Sequence, residues 1–213
     1  MLTILLLCLL GFAAAQQPRP CTTPPQWEGR IYDSNEKQKA SLRGRISYDS
    51  VYHRSRIVDD LQIGTEEIAN DILSLYDARI EFDYNFKTKN CTRREITEPW
   101  RDFGILPDAT SYGEAYIGSS SLPDTGLLIT IWGGNFTLSN NETIPYIGTW
   151  TYRGCLPVSR TTYSEKYGNE VLSFYDLTVG ISDPNVFIPR SECLTEKEYV
   201  MRHTLFGTTT KKN

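Results

Sequence analysis

The stretch that decides the fold class is Arg79-Ile80-Glu81-Phe82-Asp83-Tyr84-Asn85-Phe86, in which polar and apolar residues alternate without a break. Successive side chains of an extended chain point to opposite faces, so the four apolar side chains share one face and the four polar ones share the other. The pattern predicts a half-buried antiparallel strand with one face toward water.

Two neighbouring stretches extend this prediction to hairpins. We expect residues 72–76 to pair with residues 79–86 through the turn Asp77-Ala78. Residues 42–48 and 54–60 flank a turn near Asp49-Ser50, so they are predicted to form a second hairpin. The chain is therefore predicted to be mostly β.

Two later stretches, residues 127–132 and 171–179, carry apolar or aromatic residues at both odd and even positions. A strand of this kind needs a cover on each of its faces. One cover is a facing sheet, and the other is a helix, a second subunit or a bound apolar molecule. The pattern does not choose among these three.

Helical signals are few. Residues 65–73 are predicted to form a short helix with Thr65 as N-cap. Residues 195–203 are predicted to form another, because Thr195 and Glu198 have the spacing of a capping box. Repeats and linkers are absent, so one domain over residues 16–213 is expected.

The first 15 residues have the composition of a secretory signal peptide. Residues 2–15 are almost entirely apolar and end in Ala13-Ala14-Ala15, small residues of the type that signal peptidase cleaves after. A membrane anchor is the alternative, but the run is shorter than the roughly 18 residues that a spanning helix needs. We therefore predict cleavage and a secreted, extracellular protein with no transmembrane segment.

Composition agrees with a folded extracellular protein. The 22 basic and 26 acidic residues give a net charge of −4, and 39% of the residues are hydrophobic. This balance is typical of globular domains and argues against disorder. Nucleic acid is not expected as a partner, because its binding requires a basic surface.

The cysteines and the glycosylation sequons also predict a secreted protein. Cys8 lies in the predicted signal peptide, and the even number that remains predicts two disulfides with three possible connectivities. Three sequons predict N-linked glycans in a secreted chain. The remaining cysteines are Cys21, Cys91, Cys155 and Cys193, and the sequons begin at Asn90, Asn135 and Asn141.

Catalytic and cofactor motifs are lacking. The chain has two histidines, His53 and His203, which do not have metal-ligand spacing. The segment Gly118-Ser119-Ser120-Ser121 is not the Gly-x-Ser-x-Gly turn of a hydrolase serine, and no phosphate loop or EF-hand is present. No enzyme activity and no cofactor are predicted, and each of the four tryptophans is assigned to core packing.

A series of short motifs extends from Cys21 to Cys193, nearly the whole mature chain. These motifs are Gln26-Trp27-Glu28-Gly29-Arg30, Ser47-Tyr48-Asp49, Pro99-Trp100, Cys155-Leu156-Pro157-Val158, Phe174-Tyr175-Asp176-Leu177 and Gly180-Ile181-Ser182-Asp183-Pro184-Asn185-Val186-Phe187. Their order and spacing resemble the ependymin-related family of secreted glycoproteins, with the pattern of an invertebrate member.

The resemblance implies a fold of two stacked antiparallel sheets that form a half-open barrel, similar to bacterial lipoprotein carriers, with one or two short helices. It also implies a deep apolar pocket, a homodimer, possible calcium binding and, for some invertebrate members, a place in shell matrix. The implied disulfide pairs are Cys21–Cys155 and Cys91–Cys193. A third disulfide common in vertebrate relatives is missing, since residues 65–73 and 194–213 contain no cysteine.

These features together predict a non-enzymatic, secreted carrier or receptor for a lipid or fatty acid. The first alternative is an extracellular or shell matrix glycoprotein for cell-matrix adhesion with calcium affinity, whose metal ligands the sequence does not identify. The second is a hydrolase, which the missing motifs disfavour. The predicted pocket lining consists of Ile80, Phe82, Tyr84, Leu127, Ile129, Leu172 and Phe174.

Overall fold

The structure, a computed structural model, describes residues 18–137 and 141–195, and the predicted signal peptide lies outside them. The fold is mostly β, as predicted. The described elements are β1 Gln26–Asn35, β2 Ala40–Asp49, β3 Arg54–Ile63, β4 Glu66–Leu75, β5 Ile80–Asn85, β6 Cys91–Glu95, β7 Thr110–Gly118, β8 Gly126–Thr137, β9 Thr143–Thr151, β10 Pro157–Thr162, β11 Glu170–Val179 and the 3₁₀ helices Pro184–Phe187 and Ser191–Cys193.

Hydrogen bonds join all eleven strands into one antiparallel sheet that does not close. Its strand order is β6-β5-β4-β3-β2-β1-β11-β10-β9-β8-β7. β11 makes the sheet continuous, because it lies between β1 and β10. The predicted fold class, mostly β with an antiparallel architecture that stays open, is confirmed, and its strands form one hydrogen-bonded sheet.

Both predicted hairpins are present. β2 and β3 pair from Asp49↔Arg54 outward, around the turn that was predicted near Asp49-Ser50. In this turn the buried Asp49 carboxylate accepts the backbone N–H of Val51 and the guanidinium N–H of Arg54. β4 and β5 pair from Leu75↔Ile80, so the alternating stretch that begins at residue 79 is a strand with one face inward.

The predicted helix over residues 65–73 is wrong, because this stretch belongs to β4. Gly64 has φ +58° and forms a tight turn with Thr65 between β3 and β4. β4 then pairs with β3 along its whole length and with β5 at its end. The hydrogen bonds and side-chain contacts that β4 makes with β3 and β5 favour a strand more than the predicted N-cap at Thr65 favours a helix. The other predicted helix, residues 195–203, lies outside the described residues apart from Thr195.

Contacts divide the chain into two units. The first combines Met1–Pro24 with Asp102–Phe174, and the second combines Pro25–Arg101 with Tyr175–Asn213. Each unit holds one of the two implied disulfides: Cys21–Cys155 in the first, and Cys91–Cys193 in the second. Each unit therefore has a covalent cross-link between segments that are about a hundred residues or more apart in the chain.

The first unit has its core on one face of its strands. Trp132 on β8, with Tyr146 and Trp150 on β9, is buried there against Ile105. The disulfide secures the segment before β1, which adds a backbone bridge from Thr22 to Gly104. We call this the tryptophan face, and its residues confirm that Trp132 and Trp150 pack in the core.

The second unit is covered on one face by residues 181–193, which we call the strap. Phe187 of the strap packs against Leu73 on β4 and Phe82 on β5. The Cys91–Cys193 disulfide ties the end of the strap to β6. On the opposite face, the fully buried Trp27 stacks on Tyr48 with ring centroids 5.1 Å apart. Both faces of this unit therefore carry apolar side chains.

Candidate functional site

Three of the predicted pocket residues lie on β5 beneath the strap. Ile80, Phe82 and Tyr84 share one face of β5, as the alternation predicted. Phe82 packs in the cluster with Phe187, and the Arg190 guanidinium lies 4.9 Å from the centre of the Tyr84 ring. The structure therefore places these side chains in contact with the chain's own C-terminal segment.

The other four predicted residues lie in the first unit and divide between two faces. Leu127 and Ile129 are on the face of β8 that continues through Thr149 and Ser159 to Ser173. Leu172 and Phe174 flank Ser173 on β11 and so point to the opposite face. Leu127 is 45% exposed, while Ile129 and Phe174 are buried. The structure does not bring these four side chains to one surface.

A buried carboxylate anchors the strap to β3 and β4. Asp71 accepts hydrogen bonds from Arg56 at 2.5 and 2.6 Å and from Arg190 Nε at 2.5 Å. Arg56 also donates to the carbonyl oxygens of Val186 and Ile188. Burial raises the pKa of the Asp71 carboxyl, but the two arginines outweigh this effect and hold the pKa below its usual value. The strap is thus fixed by charge as well as by the disulfide.

The face of the second unit opposite the strap carries two rows of half-buried aliphatic side chains across β2, β3 and β4. Residues in each row are direct cross-strand partners, so their side chains touch the same surface. We call this surface the aliphatic face. Its rows are Ile46–Ile57–Ile72 and Leu42–Leu61–Ile68.

A single carboxyl group lies between these rows. Asp59 on β3 pairs with Gly44 and Asn70, and it is only 4% exposed. Its carboxyl accepts the backbone N–H of Asn70, but among the described residues its Oδ1 atom has no hydrogen-bond partner. Burial, followed by repulsion from Asp83 and Asp60, raises the pKa of Asp59 to about 6.

The aliphatic face was not predicted as a site, although its signal is present in the sequence. Leu42, Gly44, Ile46 and Tyr48 alternate with polar residues in the stretch that was assigned only to a hairpin. The cross-strand partners Ile57 and Leu61 complete the pattern. The aliphatic face can be recognised only when the pairing register of β2, β3 and β4 is known, and a single stretch of sequence does not give that register.

The three predicted sequon asparagines are exposed to solvent. Asn90 lies directly before β6, Asn135 lies on β8, and Asn141 precedes β9. Within residues 18–137 and 141–195, no group of three or more His, Cys, Asp or Glu side chains is placed to hold a metal ion. In the same residues, no helix is long and apolar enough to cross a membrane.

Comparison with known proteins agrees with this geometry. The family model described as Ependymin matches residues 64–193, which extend from the start of β4 through β11 to the end of the strap. The chain belongs to the ependymin family. It is 32% identical to mammalian ependymin-related protein 1 of Rattus norvegicus over 94% of this chain and 88% of that protein. It is 29% identical to Ependymin-2 of Carassius auratus over 91% of this chain and 88% of that protein.

A solved structure supports the ependymin fold. An uncharacterized conserved protein from Thermus thermophilus matches with a TM-score of 0.50 over 78% of this chain and 86% of that one. The identity is 11%, so the likeness concerns the fold alone. The two chains therefore share a fold.

Proposed function

We propose that this ependymin-family chain is a secreted, non-enzymatic glycoprotein whose aliphatic face binds the hydrocarbon part of a lipid or fatty acid. Family membership supports secretion and glycosylation, and two disulfides fit an oxidising compartment. The three exposed asparagines are accessible to glycosylation, which a mass loss on treatment with peptide-N-glycosidase would report.

The observation that carries the ligand proposal is the double row on β2, β3 and β4. Six aliphatic side chains remain only half-buried although they are direct neighbours across three strands. Exposed apolar surface that is continuous in this way marks binding sites more often than single exposed residues do. The strap lies on the other face of the same strands, so it leaves this surface to a ligand.

This site replaces the lining that was predicted from the sequence. Phe82 and Tyr84 are covered by the strap, and the predicted residues of the first unit lie on two faces. Binding at the aliphatic face would depend on buried area, at about 25 cal/mol per Å². Selectivity for chain length and shape is therefore expected to exceed selectivity for a head group.

The test uses cis-parinaric acid, a fluorescent polyene fatty acid, with purified full-length protein. Ile57 lies at the centre of its row, and Ile57→Asn is expected to weaken probe binding about tenfold, since burial of one aliphatic side chain is worth roughly 1.5–3 kcal/mol. Val51→Asn is the matched control, because Val51 is 56% exposed in the β2–β3 turn. Equal binding by both variants, or no binding by wild type at micromolar concentration, would refute the proposal.

The matrix glycoprotein with calcium affinity is the alternative, and it rests on the acidic composition and the family resemblance. Isothermal titration of the deglycosylated protein with calcium separates it from the carrier. Tight calcium binding with no response to the lipid probe would favour the alternative.

A further inference from the structure

The strap face of the second unit contains a groove that is separate from the aliphatic face. Two adjoining cavities of about 400 and 550 Å³ share Arg30, Arg45 and Val58. Ser182 and Val186 of the strap close one end, and Tyr175 lines the other. Three cross-strand rows of β1, β2 and β3 form its floor: Glu28–Ser47–Arg56, Arg30–Arg45–Val58 and Tyr32–Arg43–Asp60.

Charged groups at the closed end of the groove are already engaged. Arg30 makes a 2.8 Å ion pair with Asp176 on β11. Glu28 accepts hydrogen bonds from Ser47 at 3.0 Å and from the Ser182 hydroxyl at 2.6 Å. Arg56 is held by the buried Asp71 below it. These groups are not available to a ligand without loss of an existing contact.

Two arginines in the middle of the groove are available. Within residues 18–137 and 141–195, neither Arg43 nor Arg45 makes an ion pair or a side-chain hydrogen bond. Both side chains are exposed and lie two residues apart on one face of β2. The rise per residue of a strand places their Cα atoms about 7 Å apart. Arg45 is directly opposite Arg30, and like charges at such positions repel. An oxyanion between Arg43 and Arg45 would relieve this repulsion and fit the planar guanidinium groups.

The groups around these arginines indicate what carries the oxyanion. The exposed Asp60 carboxylate is the cross-strand partner of Arg43 and accepts hydrogen bonds, so it favours a ligand with hydroxyl groups. Tyr32 and Tyr175 are 37% and 53% exposed and offer aromatic surface at the same end. A carboxylate would repel a bare polyanion or a phosphate head group. Sugars supply hydroxyls for Asp60 and apolar C–H faces for the tyrosines.

We propose that this groove binds an acidic oligosaccharide, with a sulfate or carboxylate group on Arg43 and Arg45 and sugar hydroxyls donating to Asp60. The proposal does not depend on the aliphatic face, which lies on the other side of β2 and β3. It gives the protein a polar, extracellular binding site in addition to the apolar one.

The first experiment measures binding of a chondroitin sulfate hexasaccharide by isothermal titration at low ionic strength. The double variant Arg43→Gln/Arg45→Gln is expected to bind at least tenfold more weakly than wild type. Arg101→Gln/Arg153→Gln removes the same charge at exposed positions elsewhere and is expected to stay within twofold. Arg45→Lys keeps the charge but removes the planar guanidinium group, so an intermediate loss of affinity is expected. Circular dichroism melting confirms that each variant is folded.

The second experiment separates sugar recognition from general attraction between charges. Asp60→Asn removes a negative charge, so a purely electrostatic surface would bind the hexasaccharide more tightly. A hydroxyl acceptor would be weakened, and we expect at least threefold lower affinity. Tighter binding by Asp60→Asn, equal losses in the two double arginine variants, no hexasaccharide binding by wild type at 1 mM, or binding only to phosphatidylserine vesicles would each overturn the proposal.

Discussion

At position 59 the chain buries a carboxyl group, one oxygen of which has no hydrogen-bond partner in the part of the chain that the structure describes. Asp59 lies between aliphatic rows, and burial with repulsion from Asp83 and Asp60 raises its pKa from 3.8 to about 6. Folding therefore favours the protonated form of Asp59 relative to the unfolded chain. Its stabilising effect is complete below about pH 4 and is lost as the pH rises through 6. A difference of this size corresponds to roughly 3 kcal/mol at most.

Asp59→Asn is expected to raise the free energy of unfolding at pH 8 by about 1–3 kcal/mol, because it removes the buried charge. Urea unfolding at pH 4.5 and pH 8 measures the effect, and the pH dependence between these values should shrink. Asp60→Asn serves as the exposed control, with a change within about 0.5 kcal/mol. A variant less stable than wild type at pH 8 would show that the Asp59 carboxylate is stabilised in a way this geometry does not contain.

The strap contains no strands, and an ion cluster fixes its position together with the Cys91–Cys193 disulfide. Arg56 reaches from β3 to two strap carbonyls, and Arg190 reaches back from the strap to Asp71 on β4. Arg190 also stacks on Phe86, with its guanidinium 4.7 Å from the ring centre. Removal of the central carboxylate leaves two partly buried cations without their partner.

Asp71→Ala is therefore expected to lower the free energy of unfolding by about 3–5 kcal/mol. Asp83→Ala is the control, because Asp83 pairs with the more exposed Arg94 and should cost at most about 1 kcal/mol. Because the pKa of Asp71 is lowered, its contribution is present above the unfolded pKa and is lost as the pH falls through the folded value. Urea unfolding at pH 7 compares the two variants, and equal losses would contradict this role of the cluster.

At the scale of the whole molecule, one face of the first unit carries no charge among its paired residues. This uncharged face is the reverse of the tryptophan face and runs from β7 to β11. Charged residues are usually excluded from the centre of protein interfaces, so the face suits a second copy of the chain. Its paired members are Thr110, Gly113, Ala115, Ile117, Leu127, Ile129, Ile131, Gly133, Asn135, Thr137, Thr143, Pro145, Ile147, Thr149, Thr151, Ser159, Thr161, Val171 and Ser173.

We expect a homodimer through this face in sedimentation at micromolar concentration. Ile147 is 40% exposed between Gly133 and Thr161, and Ile147→Lys should yield monomers because it places a charge in the interface. Tyr52→Lys, at an exposed turn of the second unit, should leave the dimer intact. Asn135 itself lies on this face near one end of β8, so the interface has to leave room for a glycan there. A wild-type protein that sediments as a monomer at micromolar concentration would contradict the homodimer prediction.

The features that depend on local periodicity and on the parity of the cysteines could be predicted from the amino-acid sequence alone. The alternation from Ile80 to Phe86 predicts a strand with one buried face, and the four cysteines after the predicted signal peptide predict two disulfides. Choices between distant partners came only with the tertiary structure. Thr65 has the signature of a helix cap, yet pairing with β3 makes its surroundings a hairpin. Leu127 and Phe174 are both apolar, but register places them on opposite faces. Neither Ile57 nor Arg45 is distinctive until its cross-strand neighbours are known, because a binding surface on a sheet is assembled across strands rather than along one.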